Sequence, residues 1–285
     1  MNTYVFDKSE TDRSGTGRSE TDNDAMHHHL AAMYDPFSRR RLADAHLPPD
    51  ARCLVVAVGA STIATTLADL VPDGEIVATD RDPRRCPDDT RVDLRRHDIV
   101  SDPPLPGSWD LIHVRLLLGH LPQRLEVLRT LAARLSPGGA LIVEEFEGSW
   151  RHSVLATADP EADRLFAAYH DAFAAVLAAA GNDLAWGRRV HDAMLRLGLD
   201  TETQGYTRSW GGGTPGCLLP RATAGAIRTK LVEAGMSGAD IDDFRELLLD
   251  PRLRIKGNLA LSTLGRRPRL MSSIAGHGRG DRFIL

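Results

Sequence analysis

The chain has 285 residues, 42% of them hydrophobic and 26% charged, a globular balance that excludes wholesale disorder, collagen-like repeats and a disulfide scaffold. With 35 Lys and Arg against 39 Asp and Glu, the formal net charge of −4 gives no overall field to draw in nucleic acid or an anionic membrane. Cys53, Cys86 and Cys217 lie far apart without ligand spacing, so neither a zinc site nor a disulfide framework is expected, and a reducing cytosol is.

Residues 1–24 are rich in Ser, Thr, Asp, Glu and Gly with few apolar anchors, and read as a mobile, disordered tail without a secretory leader. No later run is long and apolar enough for a membrane helix. His27, His28 and His29 read as surface residues opening a helix, with no metal chemistry. CLVVAV, residues 53–58, is apolar and β-branched without alternation, as in the central strand of a parallel sheet. Gly59, Ala60 and Ser61 then turn the chain, and Ser61 is placed to cap a helix from Thr62 to Leu70. Pro72, Asp73 and Gly74 close that helix before a second strand, EIVATD. RVDLRRHD and WDLIHV follow as third and fourth strands, LPQRLEVLRTLAARLSPGG as helix and turn, and ALIVEEF as a fifth strand. Strand and helix alternate over residues 53–146, which predicts an open, doubly wound α/β sheet.

After Trp150 the texture changes. Asp159 to Gly181 reads as an amphipathic helix, GRRVHDAMLRLGL as another, and DTETQGYTRSW as a strand. Residues 215–250 supply two helical segments divided at Ser237 and Gly238, and NLALSTLG is a last strand. The expectation is one domain over residues 25–268, with helical insertions at 157–181 and 215–250, and a flexible tail over 269–285. Ligands sit beyond the carboxyl ends of such strands, so the inserted helices are expected to form a lid.

Four features fall where a doubly wound sheet would place them for a nucleoside. Gly59 lets the backbone approach a ligand beside a helix N-terminus. Asp80 ends the second strand 21 positions later, where a carboxylate accepts hydrogen bonds from ribose hydroxyls. Asp98 ends the third strand, where it can bind an adenine amine beside the Ile99 N–H. The fourth strand ends in HVRLLLGHL and leads on to LSPGG. Each acid has a plain alternative as a turn residue or helix cap.

WDLIHVRLLLGHLPQRLEVLRTLAARLSPGGALIVEEF resembles the second half of the class I S-adenosylmethionine-dependent methyltransferases, and the likeness extends over about residues 28–268. The resemblance implies a seven-stranded Rossmann-like sheet, with Leu199 to Trp210 as sixth strand and Asn258 to Leu264 as an antiparallel seventh. It implies S-adenosylmethionine as cofactor and methyl transfer to an O, N or C atom of a small-molecule acceptor. A specialised metabolite is preferred over nucleic acid or membrane, and a homodimer stays open. By position, Gly59, Ala60 and Ser61 would face the methionine part, Asp80 the ribose, and Asp98 and Ile99 the adenine, with Arg81 also among the cofactor-binding residues. His113, Val114 and Arg115 would face the methionyl amino end and the acceptor, while Tyr34 either closes over the cofactor carboxylate or packs in the core.

Similar sequences read (D/E)xGxGxG where this chain has Ala57 to Ile63 with a single glycine. The loop is also two residues shorter than VGAGGGSIA, so Ser61 and Ile63 are expected to narrow the pocket. Two alternatives to methyl transfer follow: an enzyme of this fold that catalyses a cyclisation or rearrangement, and a non-catalytic binding subunit. For catalysis, His120 is the first candidate base because it follows the fourth strand and has a suitable intrinsic pKa. Glu145 is preferred over Glu144, since alternation points one of them toward the cleft. Arg115 would hold an acceptor anion or pair with a neighbouring acid. Phe166, Tyr169, His170 and Phe173, with Trp150 and Trp210, would line an aromatic lid or serve as core.

Overall fold

A computed structural model describes residues 18–148, 151 and 153–269. Its first half runs α1 (Arg18–Ala43), β1 (Arg52–Val56), α2 (Ile63–Leu70), β2 (Glu75–Asp80), β3 (Val92–Arg96), β4 (Trp109–Arg115), α3 (Arg124–Ala133) and β5 (Leu135–Phe146). The second half runs β6 (Ser153–Ala156), α4 (Ala162–Ala179), α5 (Trp186–Arg196), β7 (Asp200–Tyr206) and β8 (Ser209–Gly211). It ends in α6 (Pro215–Ala226), α7 (Arg228–Glu233), α8 (Gly238–Leu247), β9 (Arg254–Lys256) and β10 (Ala260–Arg266).

Seven strands form one sheet in the order β3-β2-β1-β4-β5-β10-β7. The first five are parallel, and β10 runs antiparallel between β5 and β7. β1 is central because it is apolar on both faces. Cys53 and Val55 pack toward α2, and Leu54 and Val56 pack toward α3 and α5. Strand order reverses between β1 and β4, which opens the ligand crevice at their carboxyl ends. The expected PGG turn is absorbed into β5, where Gly138 at φ +86° accompanies a register shift against β4.

Two expectations about the chain's organisation change. Residues 18–24 are helical, not part of a tail, because α1 already runs at Arg18. Asp22 pairs with Arg245 at 3.1 Å and Asp24 with Arg85 at 2.8 Å, anchoring this polar stretch by charge where apolar contacts are few. Residues 1–17 and 270–285, and Trp150, lie outside the described residues. Residues 215–250 form three helices, with a break at Ile227 between α6 and α7. DTETQGYTRSW splits between two sheets, since β8 leaves β7 and pairs with β9, which also pairs with β6.

That small sheet, with α4, α6, α7 and α8, builds a cap with its own core. Phe244, fully buried, carries the Tyr169 ring stacked at 4.5 Å and the Phe166 ring edge-on at 5.1 Å. α5 belongs to the sheet layer, where Trp186, Val190 and Met194 pack on Val143 and Leu141. Among the described residues no helix is long and apolar enough to cross a membrane.

Candidate active site

The chain leaves β1 through two residues in the left-handed region, Ala57 at φ +54° and Gly59 at φ +53°. The Gly59 N–H donates to Asp80 Oδ2 at 3.0 Å, and the Asp82 N–H donates to Asp80 Oδ1 at 2.8 Å. The strand-end carboxylate is therefore fixed at the lip of the turn. A Cβ on Gly59 would meet only the His27 imidazole, at 3.7 Å. His27 is thus half-buried against the turn: burial first, then Arg85, pulls its pKa down. Ile63 does not narrow the crevice either, because it is wholly buried between α2 and the sheet. Ser61 is not the cap of α2: the helix begins at Ile63 with Thr62 as its N-cap and no side-chain capping bond, and the Ser61 hydroxyl, one residue earlier, accepts the Ile63 N–H at 3.2 Å.

Below the turn lies a residue the sequence reading missed. Asp35 of α1 accepts four hydrogen bonds, from Ser61 Oγ at 3.1 Å, the Thr62 N–H at 2.8 Å, Thr62 Oγ1 at 2.6 Å and Arg115 Nη2 at 2.8 Å. Burial alone would raise its pKa, but Arg115 and Thr62 outweigh it and hold the carboxyl below its usual value. Arg115 therefore pairs with a neighbouring acid, and also donates to Ser38 Oγ at 3.0 Å. Ser38 in turn donates to Glu144, whose same oxygen lies 3.2 Å from His113 Nε2. The His113 and Val114 side chains are buried in the layers on opposite sides of the sheet, which leaves the backbone at that edge. Tyr34 is buried in the core between α1 and the sheet edge. It packs edge-on against Phe146 at 5.1 Å and is hydrogen-bonded to Asn258. Asp98 anchors its own turn by accepting the Val100 N–H at 2.9 Å, beside a half-buried Ile99.

A second space opens between the carboxyl edge of the sheet and the cap, about 1110 Å³ with its mouth included. Leu116, Gly119, His120, Glu145 and Trp186 form one wall, α4 contributes Tyr169, His170 and Phe173, and α1 contributes Met26 and Leu30. Leu116, next after the β4 edge, is held at φ +52°. Glu145 points into this space and Glu144 to the other face, as strand alternation requires. Glu145 accepts the Gly119 N–H at 3.2 Å and further N–H bonds from Leu117 and Leu118, yet burial pushes its pKa up to about 7. His120 is a poor base. The Asn182 amide nitrogen donates to its Nδ1 at 2.8 Å, and burial, then Arg124, pulls its pKa down to about 4. Phe166 belongs to the cap core, and Trp210 packs on Gly216 and Gly257 outside the cavity.

A glycine turn bonded to a strand-end acid at the switch point, with a capped cavity at the same carboxyl edge of the sheet, is the architecture of the doubly wound class, whose ligands bind at that edge. The profile of a family described as "Methyltransferase domain" matches residues 26–181, more than half of the chain, and the chain belongs to that family. Two curated relatives from Strobilurus tenacellus, methyltransferases str3 and str2, are 29% identical over 126 residues and 31% identical over 130 residues. Each match takes in 44% of this chain and 44% of the relative, so this chain spans under half the length of either. Among solved structures, the YcgJ protein of Bacillus subtilis shares the fold with a TM-score of 0.51, over 85% of this chain and 99% of its own, at 13% identity.

Proposed function

We propose that the protein is an S-adenosylmethionine-dependent methyltransferase acting on a small-molecule acceptor, a specialised metabolite. The observation that carries this reading is the Gly59 N–H to Asp80 contact of 3.0 Å at the switch point, beside a capped cavity walled by Glu145. The residues fit the cofactor. Gly59 presents a turn without a Cβ, and Asp80 keeps lone pairs beyond its two backbone bonds for ribose hydroxyls. Asp98 and Ile99, past β3, would take the adenine. The Asp35 and Arg115 pair offers both charges that the amino-acid end of the cofactor requires. Ala60 and Ser61 line the approach to that pair, and Arg81 flanks the ribose end.

Bound there, the cofactor supplies a methyl group already activated by its sulfonium. The chain's own task is to position the acceptor, exclude water with the cap and accept a proton, for which Glu145 is the base. His120 contributes a neutral imidazole to the same wall. Free, buried Cys53, Cys86 and Cys217 support a reducing compartment, the cytosol.

Calorimetric titration with S-adenosylhomocysteine tests the reading. One heat-yielding site is expected in the parent protein and none in a folded Asp80→Ala variant. Absence of heat at millimolar ligand, with the parent folded, defeats it. An acceptor product heavier by one CH2 separates methyl transfer from a cyclisation or rearrangement in the same cavity.

A further inference from the structure

We infer that His27 is a donor-binding residue: α1 lends its imidazole to the nucleoside side of the crevice, where it hydrogen-bonds a ribose hydroxyl beside Asp80. This rests on the methyltransferase reading and adds a residue to that same site.

The imidazole stands in the right corner. Its Nδ1 lies 3.7 Å from the empty Cβ place of Gly59, whose N–H is bonded to Asp80 at 3.0 Å. The charged and titratable groups that act on His27 are Arg85, Asp80 and, from its own helix, Asp24 and His28. All of them belong to the β2 side of the crevice or to α1 itself. Asp35, whose pair with Arg115 serves the amino-acid end, comes eight residues later, about 12 Å along the helix at 1.5 Å per residue.

α1 is also tied down on both sides of His27. Asp24, before it, is bonded to Arg85 at 2.8 Å. Asp35 and Arg39, after it, are bonded to the Thr62 hydroxyl at 2.6 and 2.8 Å. Asp24, His27, Ala31 and Asp35 recur at spacings of three and four, which puts them on one face of the helix, and their contacts turn that face to the crevice. Ala31, with a side chain of one carbon, leaves space between the two polar ends. The turn after β1 is two residues shorter than VGAGGGSIA and so has two fewer backbone N–H groups to offer a ligand. The imidazole supplies a substitute from another element.

The ring has the chemistry for it. His27 is half-buried, not sealed, and has no hydrogen-bond partner among the described residues. Burial and Arg85 hold it neutral at pH 7, so one ring nitrogen donates and the other accepts. The ionised Asp80 carboxylate only accepts. A hydroxyl carries one proton and two lone pairs, and the two side chains divide them: Asp80 takes the proton and the His27 N–H meets a lone pair. A neutral ring also sets no positive charge against a sulfonium.

The test titrates the full chain and its His27→Ala, His27→Phe and His27→Gln variants, each checked for folding by thermal scans. The probes are S-adenosylhomocysteine and 5′-methylthioadenosine, which keeps the nucleoside and lacks the amino-acid end. His27→Ala and His27→Phe are expected to weaken both probes at least tenfold, and His27→Gln, whose amide still donates, to recover most of that loss. Parent-like or tighter binding in His27→Ala or His27→Phe marks an imidazole that only fills the crevice, and overturns the inference. A loss confined to S-adenosylhomocysteine, or His27→Gln no better than His27→Phe, overturns it as well, while the methyltransferase reading stands. No heat from either probe in the parent chain would sink that reading, and the inference with it.

Discussion

A carboxylate that accepts main-chain N–H bonds ordinarily ionises well below neutrality, yet complete burial lifts Glu145 from 4.5 to about 7. Between those values the unfolded chain releases this proton while the folded chain keeps it, so stability falls as pH rises through the window. The loss by pH 8 is about 3 kcal/mol, at roughly 1.4 kcal/mol for each tenfold difference in proton affinity between the folded and unfolded chain. Glu145→Gln is therefore expected to melt at a higher temperature than the parent at pH 8 and at nearly the same temperature at pH 5, as read by thermal scans. With Glu145 as the proposed base, turnover is expected to climb through pH 7. The glutamine variant is expected to lose that climb and ~10²–10⁴ of the rate. Asp35 sits in the opposite situation, with four donors on one carboxylate. Asp35→Ala leaves Arg115 buried without its partner and is expected to cost about 3–5 kcal/mol in urea unfolding, part of which Arg115→Leu restores in the double variant. Asp35 was illegible in the sequence because its partners stand 27 and 80 positions away, whereas Asp80 was legible because its strand and its spacing from Gly59 are local patterns.

Among the elements, the central strands declared themselves. CLVVAV covers nearly all of β1 and EIVATD coincides with β2, since a strand buried on both faces must be a continuous apolar run. The cap strands β6, β8 and β9 are three or four residues long, too short for a period to show. The opening of α1 was hidden for another reason: its anchors are Arg85 and Arg245, distant charges that leave no apolar stripe. In the turn after β1 the conformational demand is plain. Gly59→Ala meets no clash, since the new Cβ would stand 3.7 Å from His27, but φ +53° costs an L-residue about 1 kcal/mol. A correspondingly small fall in Tm is expected, with at least tenfold weaker S-adenosylhomocysteine binding by calorimetry, because the added methyl fills the space between the turn and the His27 imidazole.

At the scale of the molecule, sheet and cap have separate cores, and the two compartments of the site draw on them unequally. Gly59 and Asp80 stand on the sheet, while Tyr169 and Phe173 are held by the cap through Phe244. Phe244→Ala is expected to cost about 3–5 kcal/mol and to weaken aromatic probes in the cavity while sparing S-adenosylhomocysteine, as paired titrations would show.

α1 ignores that division. Its 26 residues extend about 39 Å at 1.5 Å per residue. Consecutive positions face different rooms: Met26 lines the capped cavity and His27 stands over Gly59. A tilt of this one rod alters both rooms together, so any help or hindrance the first occupant gives the second is returned in equal measure. With the proposed donor and acceptor in the two rooms, this single helix is the element through which each would shift the other's affinity.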